Sequence, residues 1–126
     1  MYVELHEITV TTDALGAATA YLPSQAGQVL EGRILGIVYT KDDFADGVDF
    51  DVTLERSGQV VWSEDDVNAS KTVYPRTQVH TTAGVAATLE GAEPMLEPVV
   101  AGKERLKIEV ASGGAVTSGN FKVLVG

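Results

Sequence analysis

Leu35-Gly36-Ile37-Val38-Tyr39-Thr40-Lys41-Asp42-Asp43-Phe44-Ala45-Asp46-Gly47-Val48-Asp49-Phe50-Asp51-Val52-Thr53-Leu54-Glu55-Arg56-Ser57-Gly58-Gln59-Val60-Val61-Trp62 is the stretch that decides the fold. Ile34, Leu35, Ile37, Val38 and Tyr39 form an apolar, largely β-branched run, the composition of a strand. Lys41 to Gly47 is a polar, acidic loop. Val48, Phe50, Val52 and Leu54 then alternate with Asp49, Asp51, Thr53 and Glu55, the period-two pattern of a strand with one buried and one wet face. Ser57-Gly58 turns the chain, and Gln59 to Trp62 runs back. The reading is strand, acidic loop, strand, tight turn, strand, with no catalytic apparatus in it.

Outward from this segment the same signature recurs. Val3 and Leu5 alternate with Glu4 and His6, and Ile8 and Val10 with Thr9 and Thr11; the phase slips at Glu7, which predicts a β-bulge or two short strands. Ala18 to Tyr21 reads as a short returning strand stopped by Pro23. Gln28 to Thr40 is the longest strand region, with Gly32 and Gly36 as points of bending or close backbone approach. A second acidic loop spans Ser63 to Ser70, and Lys71 to Tyr74 is a short strand ended by Pro75. Thr82 to Gly91 is the one helical candidate, of one or two turns, weakened by Gly84 and Thr88. Met95, Leu96, Val99 and Val100 read as an edge strand because Pro94 and Pro98 cannot donate to a ladder. Leu106, Ile108 and Val110, then Phe121, Val123 and Val125, read as a C-terminal hairpin with a protruding connection through Ala115 to Asn120.

About eight short strands at this spacing predict an all-β fold: an antiparallel β-sandwich or jelly-roll-like barrel, with at most one short helix. The 126 residues fit a single domain, 1–126, large enough to bury a core without staples, and the chain has no cysteine. Met1 to Glu7 has neither the basic nor the apolar region of a secretory signal, and no apolar run reaches the roughly 20 residues of a membrane helix. The expectation is a soluble protein folding in the cytoplasm of the cell that makes it.

The net charge of −9 argues against nucleic acid, which would repel it, and against an anionic membrane surface. His6 and His80 are the only histidines; with no cysteine to join them, no zinc set is expected and both read as surface residues. No serine lies in a G-x-S-x-G context, and Gly113-Gly114 lacks the lysine, serine and helix of a phosphate cradle. Asp42, Asp43, Asp46, Asp49 and Asp51 have the oxygen chemistry calcium prefers, but Phe44 interrupts the spacing and no glutamate closes an EF-hand loop. They and Glu64-Asp65-Asp66 are expected to be solvated loops, with a cation site arising only if the two loops meet. Trp62, Phe50 and Tyr39 could form a sugar platform, but with so few aromatics they are expected in the core. No cofactor, metal or catalytic residue is predicted, and the chain is read as a non-enzyme.

Ile37-Val38-Tyr39 and Asp43 to Val52, together with Val61-Trp62, Asp66 to Ser70, Tyr74-Pro75-Arg76, Arg105 to Ile108 and Gly119 to Gly126, resemble small virion structural proteins of tailed bacteriophages. The similarity runs from about Thr9 to Gly126 and contains no catalytic motif. Some of these proteins act as capsid decoration or cement proteins. The resemblance implies a protein on the capsid exterior that bridges major capsid subunits, as a homo-oligomer with the trimer favoured. A tail or baseplate carbohydrate-binding module, or a head–tail connector component, is the alternative. For partner contact the candidates are Tyr2, Val3 and Leu5, able to reach a neighbour as an added strand or else to form the first strand of their own sheet, with Arg33, Arg76 and Arg105 as anchors by residue type.

Overall fold

The computed structural model describes residues 3–88 and 93–126. Among the described residues ten strands build two antiparallel sheets: β1 (Glu4–Thr11), β2 (Ala18–Leu22), β3 (Leu30–Lys41), β4 (Val48–Leu54), β5 (Val60–Val67), β6 (Lys71–Val73), β7 (Arg76–Gln78), β8 (Leu96–Glu104), β9 (Leu106–Ala111) and β10 (Ser118–Val125). One sheet runs β1-β10-β3-β8-β7, with β6 also on β3; the other runs β2-β9-β4-β5. The all-β sandwich expected from the alternation is the fold observed.

Both sheets contribute aromatic rings to one cluster. Tyr39 and Phe121 come from the six-stranded sheet, Phe50 and Trp62 from the four-stranded one, and Phe44 closes the end. Phe50 lies edge-on to Tyr39 at 4.7 Å and to Phe121 at 5.1 Å, and 5.3 Å from Trp62. Edge contacts of this kind add about 0.5–1.5 kcal/mol each beyond the area they bury. The rings considered for a sugar platform therefore hold the layers together: Phe50 is 1% and Trp62 7% exposed.

Several expectations are corrected. β4 and β5 do form the hairpin read from Val48 to Trp62. β9 and β10, however, are not a hairpin: β9 pairs with β2 and β4, whereas β10 pairs with β1 and β3. Their connection does not protrude. Thr12 Oγ1 donates to Gly114 O at 2.7 Å and accepts from Thr117 N, and Ala45 N donates to Gly113 O, so the loop is folded into the end of the sandwich. A Cβ on Gly113 would sit 2.9 Å from the Thr12 methyl, which is why glycine is needed there.

β1 contains no bulge. It pairs with β10 in one unbroken register from Glu4↔Val125 to Thr11↔Ser118. Ile8 and Val10 face the core, and the phase slip is real only in the sequence: Leu5 lies on the outer face, 58% exposed. The bulge falls instead in β3 at Leu35, where Leu124 pairs with Gly36 and Val125 with Ile34. That extra residue lets Ile34 and Ile37 both point inward. β5 extends through Val67, so Ser63 to Val67 are strand rather than loop. β8 changes partner along its length: residues 99 to 104 pair with β3 and Leu96 to Pro98 with β7, and among the described residues each part is paired on one side only, in keeping with the edge character read from Pro94 and Pro98. The described part of the helical candidate, up to Thr88, is a turn with isolated bridges; Leu89 to Gly91 lie outside the described residues.

Candidate functional site

The six-stranded sheet turns its second face to solvent, and that face is unusually apolar. Leu5 pairs with Leu124, and Leu124 with Gly36. The Tyr74 ring lies over Gly36, 3.5 Å from where a Cβ would stand, so the missing side chain is the seat of the ring. Across β3, Arg33 pairs with Val100, and Pro98 with Arg76. Exposure of Val3 (45%), Leu5 (58%), Tyr74 (65%), Leu96 (57%) and Val100 (54%) leaves an apolar band across the sheet. Such a band on a soluble chain marks an interaction surface more often than a scatter of single residues does.

The candidate contact residues separate over this geometry. Tyr2 lies outside the described residues. Val3 and Leu5 stand at the β1 end of the face, and Arg33 lies beside the C-terminal residue: its amide and that of Gly126 exchange bonds of 2.9 Å, and its Nε donates to the same carbonyl. Arg76 is exposed on β7, at the opposite edge, with one nitrogen donating to its neighbour Pro75 O. Arg105 belongs elsewhere. It makes a two-point ion pair with Glu55 at 2.6 Å and lies 4.2 Å over the Tyr21 ring, on the four-stranded sheet. The Glu55 carboxylate holds the guanidinium's pKa up, and Arg105 holds that of Glu55 down.

The outer face of the four-stranded sheet is acidic. Asp13, Asp49, Asp51, Asp65 and Glu109 border a concavity of about 580 Å³. Asp51 and Glu109 stand directly opposite on β4 and β9, a like-charge pairing that costs some stability. The chain engages several of these groups itself. Asp13 Oδ1 accepts from the amides of Ala17 and Leu15, which lower its pKa; Asp66 N donates to Asp49; and Lys107 Nζ lies 2.7 Å from Glu109.

The two acidic segments do meet. Gly47 N donates to Asn68 Oδ1 at 2.7 Å, Lys41 N to Ser70 Oγ at 2.8 Å, and the Lys41 ammonium reaches Asp46 and Asn68 O. A lysine and an amide side chain thus tie the segments together. Among the described residues no three His, Asp or Glu side chains converge as a metal set.

Sequence reasoning missed two features. Glu104 is the one charged side chain among the buried described residues, and its Oε1 accepts from the amides of Arg56 and Ser57, fixing the β4–β5 turn. Lys103, at φ 54°, is the bulge that turns Glu104 inward; no sequence signal announces it. Tyr74 is the second: nothing in the sequence links it to Gly36, and only the fold lays its ring on that bare backbone.

No family model matches the chain, and no curated protein matches it. Among solved structures, a crystal structure of FLHE superposes with a TM-score of 0.44 at 14% identity, over 98% of this chain and 96% of that one.

Proposed function

We propose that this chain is a non-enzymatic virion structural protein of a tailed bacteriophage, a capsid decoration protein bound to the outer surface of the head, where it bridges major capsid subunits. The observation that carries the reading is the exposed apolar band on the six-stranded sheet, Leu5, Tyr74, Val100 and Leu96 with Arg33 and Arg76 among them. A sandwich presenting a partly apolar sheet face can cover a seam between shell subunits. Many copies each contributing a modest contact then stabilise the particle together. The acidic four-stranded sheet on the other side supports the same orientation: facing outward, it adds solubility and meets no phosphate backbone.

The sequence resemblance supports the phage assignment, and the burial of Phe50 and Trp62 counts against a sugar-binding module, since those rings are occupied in the core. Co-sedimentation with expanded capsids that lack the protein tests the reading. Wild-type protein should pellet with the shells, and Val100→Asp and Leu5→Asp, both at exposed positions, should pellet several-fold less while keeping their melting temperature. Equal binding by all three proteins would show that the band is not the contact face. Absence of any binding would point to the tail or the head–tail connector.

A further inference from the structure

β1 ends the six-stranded sheet with β10 on one side of it, and no described strand pairs on the other. The remaining terminal strands are blunted: β5 by two register shifts, β7 by its three-residue length, and β2 by its five residues and the proline that follows. β1 runs eight residues in one register without proline or bulge. Bonding alternates along an antiparallel pair. Thr12 N donates to Thr117 O at 2.8 Å, so Val10, Ile8, His6 and Glu4 bond towards β10 in the same rhythm. The amides and carbonyls of Leu5, Glu7, Thr9 and Thr11 point the other way, and among the described residues none of them is bonded. Over about 26 Å this edge repeats the pattern that an extended backbone matches and that proteins ordinarily blunt.

The flank beside that edge is open as well. β1 and β2 end their two sheets on the same side of the sandwich. Ile8 on β1 and Ala18 and Ala20 on β2 pack against the core and remain half-buried there, with small side chains covering the gap between the sheets thinly. At the Leu5 end a groove of about 350 Å³ lies between Leu5, His6 and Glu7 of β1 and Leu22, Pro23 and Gln25. A second copy offering its own edge would cover only a strip about 26 Å long and one sheet, about 10 Å, thick, well below the roughly 800 Å² per partner of a stable interface. An extended segment covers the same strip and fills the groove beside it.

We propose that β1 accepts an extended segment of a partner chain as an added strand, and that the segment belongs to the shell subunit lying under the apolar band. Leu5 ties the two surfaces together: its backbone is on the edge and its side chain, 58% exposed, is in the band, so a subunit seated on the band brings its chain to the edge. The inference rests on the decoration reading and supplies a specific contact for it: this chain receives a strand and does not donate its own N-terminus. The chemistry of the segment follows from the pleat. Its inward residues meet Ile8 and the alanines of β2 and are apolar and β-branched; its outward residues stand beside Glu7, Thr9 and Thr11 and are polar. Alternate amides must reach the β1 carbonyls, so no proline occupies those positions. Main-chain bonds give the affinity and the alternation gives the selectivity. Once the band is engaged the edge contact forms within one complex, so a short segment suffices.

The test is hydrogen exchange of the chain, free and bound to expanded capsids that lack it, resolved to single amides by fragmentation in the mass spectrometer. In the free protein the amides of Leu5, Glu7, Thr9 and Thr11 should exchange quickly and those of His6, Ile8 and Val10 slowly. On shells the first set should slow by about tenfold or more, the worth of one hydrogen bond each. Thr9→Pro removes an open-side amide and leaves the protomer's own ladder intact, so it should melt as the wild type does and bind shells about tenfold more weakly. Thr9→Val, which keeps the amide, should bind normally, and a photo-reactive residue at position 9 should cross-link to a shell subunit. The wild-type exchange decides the matter even where Thr9→Pro melts early. Unchanged exchange of the four amides on decorated shells, or normal binding by Thr9→Pro, overturns the proposal and leaves decoration standing. Slow exchange already in the free protein, or cross-links only to a second copy, overturns it by placing a copy of this chain on the edge. Bare shells overturn the decoration reading and this inference with it.

Discussion

Replacing Glu104 by glutamine tests how the β4–β5 turn is held. Glu104 is 4% exposed, and its Oε1 accepts from Arg56 N at 2.9 Å and Ser57 N at 2.8 Å. Burial, the largest single influence, would raise the carboxyl pKa, but hydrogen bonds from the Ser57 and Arg56 amides, with smaller ones from the Ser57 hydroxyl and the Gly102 backbone, together outweigh it, and the group titrates below its ordinary 4.5. Glutamine keeps an oxygen for both amides and loses the charge. Each bond then falls from the charged range, about 1.5–3 kcal/mol, to the neutral range, about 0.5–1.5 kcal/mol. The two together lose about 2 kcal/mol, partly offset because a charge no longer has to be buried, which leaves a net loss of about 1–2 kcal/mol. The sign with pH follows. A carboxyl whose folded pKa is depressed stabilises the protein above its unfolded pKa, and that contribution disappears as the pH falls through the folded value. Denaturant unfolding of wild type and Glu104→Gln should therefore show the full gap at neutral pH and a closing gap well below pH 4.5. A gap of the same size at both pH values, or none at neutral pH, would refute the charge-assisted turn.

Three further substitutions bear on the core and on the candidate anchors. The Tyr39 hydroxyl is buried without a hydrogen-bond partner among the described residues, and burial pushes its pKa up to about 12. Tyr39→Phe should stabilise the protein by about 1 kcal/mol in denaturant unfolding; a destabilised variant would mean that the hydroxyl is satisfied. A Cβ on Gly119 would stand 2.7 Å from Phe44 Cδ2 and 3.1 Å from Tyr39 Cε1, so Gly119→Ala should cost about 1–3 kcal/mol by the same assay, and a neutral result would show the ring cluster to be loosely packed. Arg105→Ala should lower the melting temperature by releasing Glu55 and Tyr21 while leaving capsid binding unchanged; lost binding would return Arg105 to the contact surface.

Strand identity was legible wherever alternation was clean. Val48, Phe50, Val52 and Leu54 gave β4 and the hairpin with β5, and Leu106, Ile108 and Val110 gave β9. Partners were not legible, because alternation reports which face is buried and is silent about the neighbouring strand. β9 and β10 read as a hairpin for that reason, although Ser112 to Thr117 carries the chain from one sheet to the other. Phase errors arose where an apolar residue is used outside the core. Leu5 belongs to the exposed band, so counting it as core created a slip at Glu7, whereas the true bulge at Leu35 is hidden in an all-apolar run. Of the contact candidates, Leu5, Arg33 and Arg76 fall on one sheet, with Val3 just before its first strand, which residue type alone could not foretell; Arg105 is tied to Glu55 fifty positions away in the sequence, a pairing only the fold creates.

Cryo-electron microscopy of expanded capsids that lack this protein, imaged after mixing with the purified chain, tests the central claim most directly. Decoration requires regular density on the outer surface at three-fold or quasi-three-fold positions, with the face that carries Leu5, Tyr74 and Val100 against the shell and the acidic sheet outward. Bare shells at saturating protein would contradict the account.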